Sequence, residues 1–219
     1  MRGEKDEKHW QSTIAGLRLA LQRPKPGWAA QRLMAPRPRP TLAERGPHHQ
    51  PHQAGVLILL YPVNHDLAFP LTLRTETVEN HKGQISLPGG AREGDEPLSW
   101  TALRETQEEL GVDPASVEVL GDLTPLYVPP SDYCIYPFVA FCPFHPAWEP
   151  DPIEVAEVLE IPLSLLRDPH TVHREWWKIR GQDVDVPFYL IGRHKVWGAT
   201  AMVLSEFMAV LEGWNPVDE

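Results

Sequence analysis

Cysteine is nearly absent from this chain of 219 residues: Cys134 and Cys142 are the only two, and both lie in an apolar stretch. They read as buried thiols rather than a disulfide, so a disulfide-stapled scaffold is excluded and a reducing, cytoplasmic setting is expected. Long apolar runs are lacking too. None approaches the ~18–20 residues of a membrane span, and the opening MRGEKDEKHWQ has no apolar signal-peptide centre, so no membrane association is expected. There is no internal repeat. Basic residues are few outside the N-terminal region. The first 48 residues hold ten of the 20 Lys and Arg and four of the 30 Asp and Glu, which leaves the rest with ten basic against 26 acidic residues, a net of −16. A body so charged repels polyanions, which argues against nucleic acid as a partner. If its substrate is nevertheless a phosphate ester, metal ions must supply much of the positive charge.

What is present is enough apolar residue, 42%, for one ordinary domain with an extension. Residues 1–51 read as the extension. An amphipathic helix is expected over 8–22, with Ile14, Leu17, Leu19 and Leu21 apolar and Trp10 before them. Seven prolines follow between Pro24 and Pro51, which rules out a central strand or a helix and indicates a linker or a wrapping arm. Residues 52–215 read as the main domain. Strands are expected at 55–61, 68–73, 117–128 with a gap at Gly121-Asp122, 135–141, 153–161, 173–179 and 186–191. Two helices are patterned, one from about Pro97 to Leu110 closed by Gly111, the other from Trp197 to Leu211 with Leu204, Phe207, Met208 and Leu211 on one stripe. The long polar loop from Arg74 to Gly90 is a place to expect function. Strands mixed with two helices in no regular alternation suggest an α/β fold with helices on the faces of a mixed sheet.

Chemistry concentrates between Gly89 and Val112, GGAREGDEPLSWTALRETQEELGV. Glu105, Glu108 and Glu109 stand at i, i+3 and i+4, which puts three carboxylates on one helix face. Each like-charge pair costs roughly a few tenths of a kcal/mol, and a hard divalent cation is the natural compensation. A solvated acidic face is the bland account of such a cluster. The wider spacing goes further: Gly90, five residues, Glu96, seven residues, Arg104-Glu105, then Glu108-Glu109 and Gly111-Val112. This resembles the Nudix box, Gly-x5-Glu-x7-Arg-Glu-U-x-Glu-Glu-x-Gly-U with U aliphatic, and departs from it at one aliphatic slot, Thr106.

The resemblance implies an α/β/α sandwich with a mixed sheet, whose box is a loop-helix-loop, and an enzyme that hydrolyses a nucleoside diphosphate linked to another group with Mg²⁺ or Mn²⁺. It also implies roles. Glu105 and Glu109 would be the principal metal ligands, Glu108 would share that work, and the Gly89 carbonyl would complete the site. Arg104 would pair with a carboxylate and hold the array, and Glu96 would be structural. A general base must take a proton from the attacking water. Glu108 is one candidate. The segment Pro152-Ile-Glu-Val-Ala-Glu157 resembles the acidic strand such proteins bring beside the box, and alternation puts Glu157 with Val155 on one face and Glu154 on the other. Glu157 is favoured, with Glu154 its rival.

Upstream of the box, PLTLRTETVENHKGQISLPGG resembles the signature of the coenzyme A pyrophosphatase branch. Thr72, Gly83, Pro88, Gly89 and Gly90 match in register, while Pro70, Thr75, Glu79 and Leu87 depart from it. Glu79 stands where that signature carries arginine, a reversal of charge that weakens the match to coenzyme A itself. Arg74, His81 and Lys82 are candidates for phosphate contact beside Gly83 and Gly90. The expected activity is cleavage of coenzyme A or acyl-CoA to 4′-phosphopantetheine and adenosine 3′,5′-bisphosphate, with another small nucleoside diphosphate derivative such as ADP-ribose as the alternative. A binding module without turnover would be expected to lose box carboxylates, and this chain keeps them. A homodimer is allowed for, although no residue argues for it.

Overall fold

The apolar run at 55–61 becomes the middle of the central strand. The structure is a computed structural model that describes residues 2–39, 48–75 and 84–213, with the backbone alone for 2–9. Its main sheet is mixed and built from β1 (His52–Val63), β2 (Asp66–Arg74), β3 (Ile85–Ser86), β4 (Gly89–Ala91), β5 (Glu118–Asp122), β6 (Leu126–Val128), β7 (Tyr133–Phe141) and β8 (Val155–Pro162). β1 runs parallel to β7 from His52↔Tyr133 to Leu60↔Phe141. Its other edge is shared by two antiparallel partners, β4 at Ala54–Val56 and β2 at Tyr61–Val63. β1 therefore has neighbours on both edges and helices on both faces, which is why it reads as continuously apolar.

The helices complete the layers. The box helix α3 (Leu98–Leu110) covers one face, where Ala102 and Leu110 pack with Leu57, Leu59 and Tyr61. The opposite face carries α1 (Arg2–Ala20) and, following the short helix α4 (Leu163–Arg167) in the chain, α5 (Gly198–Leu211), with Ile14, Leu17, Leu204 and Phe207 packed against Ile58, Leu60 and Val139. This is the expected α/β/α sandwich. α3 starts at Leu98 rather than Pro97, which sits at the capping position with extended backbone. Gly111 ends it in the left-handed region at φ 75°, as the pattern required.

Three features were not legible in the pattern. Residues 172–197 form a separate antiparallel sheet of β9 (Val172–Ile179), β10 (Gln182–Ile191) and β11 (His194–Trp197), in the order β11-β10-β9. The expected pair at 173–179 and 186–191 is there, but β11 and the separation from the main sheet were not foreseen. Second, α5 has no solvent stripe. Residues 201–208 are all buried, because α2 (Trp28–Gln31) and the 3-10 turn Arg32–Met34 pack against the side that faces away from the sheet. Third, the proline-rich stretch does hold a short helix. α2 and its 3-10 turn occupy the window from Gly27 to Ala35, which contains no proline. Beyond it, Arg37 and Asp185 exchange backbone hydrogen bonds of 2.9 and 2.8 Å, so the arm borders β10.

Candidate active site

The box assembles where α3 meets the two-glycine loop at the edge of β1. Glu96 lies just before the helix, and its carboxylate is the hub of the loop. It accepts the Glu93 amide at 3.1 Å, the Thr101 hydroxyl at 2.8 Å, and Arg104 through both Nε (3.3 Å) and Nη2 (3.0 Å). The fork of charge-assisted bonds to Arg104, with the Glu93 amide next, holds the Glu96 carboxyl down at about 2. Arg104 continues to Glu105 at 3.0 Å, to Glu108 at 2.9 Å and to the Ala91 carbonyl at 3.1 Å. Its guanidinium thus ties the acidic face to the loop, and the i,i+4 contact with Glu108 is one strand of a larger network.

Glu105 and Glu109 turn inward. Glu105 is beside Gly90 so closely that a Cβ at Gly90 would stand 2.2 Å from its Oε2. Any larger residue at Gly90 would push the Glu105 carboxylate aside. The Glu109 side chain is 2% exposed, whereas that of Glu108 is 58% exposed, so the two neighbours have different environments. Glu109 accepts the Gly89 amide at 3.3 Å and Arg74 Nη1 at 3.2 Å. Burial pushes its carboxyl up to about 8 against the opposing pull of Arg74 and the Gly89 amide, and Glu154 and Glu105 push the same way as burial. Burial also raises Glu105, opposed by Arg104. Two carboxylates are therefore taken out of water with less positive charge than they need.

Thr106 accounts for the one irregular slot. It is buried, and its hydroxyl donates to the Ala102 carbonyl one turn back at 2.6 Å, so its methyl can take the aliphatic place without an orphaned donor.

Arg74, at the end of β2, reaches Glu109 with Nη1 and Glu154 with Nη2, both at 3.2 Å. Its Nε is buried without a hydrogen-bond partner. Of the two strand acids, it is thus Glu154 that stands beside the box carboxylates. Glu157 lies opposite Leu73 and faces Arg193 (3.4 Å) and His194 (3.9 Å) of the second sheet. Period-two alternation along the strand puts Val155 and Glu157 on one face and Glu154 on the other. A register shift between Leu73 and Arg74 sets Val155 opposite Arg74, and residues 152–154 form a turn ahead of β8, so simple alternation does not extend to them. Gly83, His81 and Lys82, expected at the substrate, lie outside the described residues. For Gly89, expected to contribute its carbonyl, the bond shown is made by its amide.

The donor set suits a hard divalent cation. Glu109 offers a buried carboxylate and Glu105 a half-buried one, both short of positive charge, and the more exposed Glu154 adds a third through Arg74. Among the described residues no group of three or more acidic, His or Cys side chains is drawn together as a finished metal cage, and Glu108 is turned to Arg104. A cation here would be held by Glu105 and Glu109, with further oxygens from Glu154 or the Gly89 peptide.

An α/β/α sandwich whose loop-helix-loop turns Glu105 and Glu109 toward a diglycine turn has the architecture of a class of hydrolases. Residues 51–178 match the NUDIX domain family, and the chain belongs to the Nudix hydrolases. It is 36% identical over 137 residues to the Nudix hydrolase NudL of Photorhabdus laumondii, covering 62% of this chain and 73% of that one. It is 35% identical over 162 residues to the mitochondrial coenzyme A diphosphatase NUDT8 of Homo sapiens, covering 72% and 68%. Among solved structures, the NUDIX domain of Shewanella oneidensis NrtR, crystallised with ADP ribose, aligns with a TM-score of 0.45 at 23% identity over 59% of this chain and 89% of that one. Nudix hydrolases are generally divalent-metal dependent and act on small nucleotide derivatives. No helix among the described residues is long and apolar enough to cross a membrane.

Proposed function

We propose that this protein hydrolyses the pyrophosphate of coenzyme A or acyl-CoA, with Mg²⁺ or Mn²⁺, to 4′-phosphopantetheine and adenosine 3′,5′-bisphosphate. The observation that carries this reading is the 3.2 Å contact between Arg74 and Glu109. It joins the segment that resembles the coenzyme A signature to the metal-binding box, so the two sequence signals meet in one place. The coenzyme A diphosphatase named among the relatives supports the same substrate.

A bound divalent cation would neutralise the pyrophosphate oxygens and acidify a water for in-line attack on phosphorus. The chain's own residues do the rest. Glu105 and Glu109 present the oxygens that would hold the cation. Arg104 and Glu96 fix the start of the helix so that Glu105 cannot swing away. Arg74 spans Glu109 and Glu154 and would be available to a phosphate once Glu109 is otherwise engaged. Glu154, which shares Arg74 with Glu109, would accept the proton of the attacking water, with Glu108 as the other acid at the rim.

Glu79 favours one second reading. A negative charge where the signature carries arginine suits a substrate without the 3′-phosphate of coenzyme A, such as ADP-ribose. Incubation of the full chain with Mn²⁺ and each compound, read by product mass, separates them. Release of adenosine 3′,5′-bisphosphate is expected. Intact coenzyme A beside cleaved ADP-ribose would overturn the assignment.

A further inference from the structure

The outward face of the second sheet carries a ring cluster that the diphosphatase chemistry does not use. Cross-strand register puts Phe188 of β10 opposite His173 of β9 and Trp197 of β11. Phe188 stacks on His173 at 5.6 Å and 17° and on Trp177 at 5.9 Å and 29°, and Trp177 meets Trp197 edge-on at 5.1 Å. The other face of these strands supplies Tyr189, Ile191 and Val196 to the main core, whereas the ring cluster belongs to neither core cluster. Phe188 is buried beneath it while Trp177 and Trp197 stay half-exposed.

A cation completes the face. Lys195 Nζ lies 4.9 Å from the Phe188 centroid and 5.5 Å from that of Trp177, and pairs with Glu175 at 2.6 Å. Both partners of that ion pair are exposed, so the pairing is weak and an incoming phosphate can compete for the lysine. In a body with a net charge of −16, an ammonium set over the Trp177 indole and the Phe188 ring marks a place for an anion attached to a flat ring.

The location fits a substrate already seated at the box. β11 borders β3, and Thr200, three residues after Trp197, donates to the Ile85 carbonyl at 3.2 Å. From Ile85 the chain reaches Gly89 in four residues, at most about 14 Å. Just before β11, Arg193 meets Glu157 on β8. The ring face is therefore joined, through β11 and β3, to the same edge that holds the two-glycine loop.

We infer that this face takes the nucleobase end of the substrate, with Trp177 stacking on the heteroaromatic ring, Trp197 against its edge and Lys195 meeting a phosphate of the same nucleotide. The inference rests on the proposed function for the choice of an adenine nucleotide, and its test does not require turnover. Adenosine 3′,5′-bisphosphate and AMP are titrated calorimetrically into the full chain, its Trp177→Leu and Lys195→Met variants, and Trp176→Leu as a control on the other face of β9. Loss of one base-stacking partner raises Kd by about fivefold to a hundredfold. A rise in that range is expected for Trp177→Leu with both nucleotides. Lys195→Met should weaken both, and Trp176→Leu should change neither. If Trp177→Leu does not fold, Lys195→Met carries the test. Equal binding by wild type and Lys195→Met, or no binding of either nucleotide by wild type, overturns the inference. Failure to cleave coenzyme A would count against the proposed substrate and leave this binding result standing.

Discussion

Glu154 and Glu157 are three residues apart and do different things. Glu154 shares Arg74 with Glu109, while Glu157 faces Arg193 and His194. Replacing a general base costs about 10²–10⁴ in rate, so Glu154→Gln should lower kcat by at least a hundredfold, and Glu157→Gln by less than about tenfold. The reverse order in steady-state kinetics would return the base to Glu157. Glu96 makes a different prediction. Its folded value of about 2 lies below its ordinary 4.5, so the fold favours the ionised form. That contribution is complete above about pH 4.5 and is lost as pH falls toward 2. The melting temperature of the wild type should fall more steeply over that window than that of Glu96→Gln. Equal slopes would mean that the Arg104 fork adds nothing to stability.

At the scale of elements, α5 fastens the N-terminal arm through one buried carboxylate. Glu206 accepts the Gly27 amide at 3.1 Å, Gln31 Nε2 at 2.8 Å, and the Thr124 amide and hydroxyl at 3.2 and 2.6 Å. Beside it, Ser205 donates to the Ala30 carbonyl at 2.8 Å. Glu206→Ala would leave buried donors unpaired at about 1–3 kcal/mol each. A drop in melting temperature of roughly 5–15 °C is expected, together with earlier proteolysis between Gly27 and Arg37. A variant as stable and as protease-resistant as wild type would show that the clasp is dispensable. This clasp was beyond sequence reading, because Glu206 and its donors come from three segments far apart in the chain. The box was legible because its residues are local: the spacing of Glu105 and Glu109 to Gly90 fixes their geometry within one loop and one helix. The irregular start of β8 was not legible. The shift beside Arg74 depends on pairing with β2, and a period-two pattern carries no trace of its partner's register.

For the whole molecule, the sandwich was readable because β1, α3 and α5 each carry a strong pattern, and two core clusters flank the sheet as layered packing requires. The second sheet was harder to read: its strands are exposed along β9 and covered by their own rings, so they look much like the strands of the main sheet. The acidic body gains a function from this architecture. It buries Glu109 and half-buries Glu105 beside it, raises both, and leaves them in need of charge that Arg74 and Arg104 do not fully provide. Calorimetric titration of Mn²⁺ into the full chain, wild type against Glu109→Gln, tests that claim most directly. The wild type should bind with a saturable heat and a rise in melting temperature, and the variant should lose both. Binding of Mn²⁺ by Glu109→Gln with unchanged affinity and the same thermal shift would contradict the account.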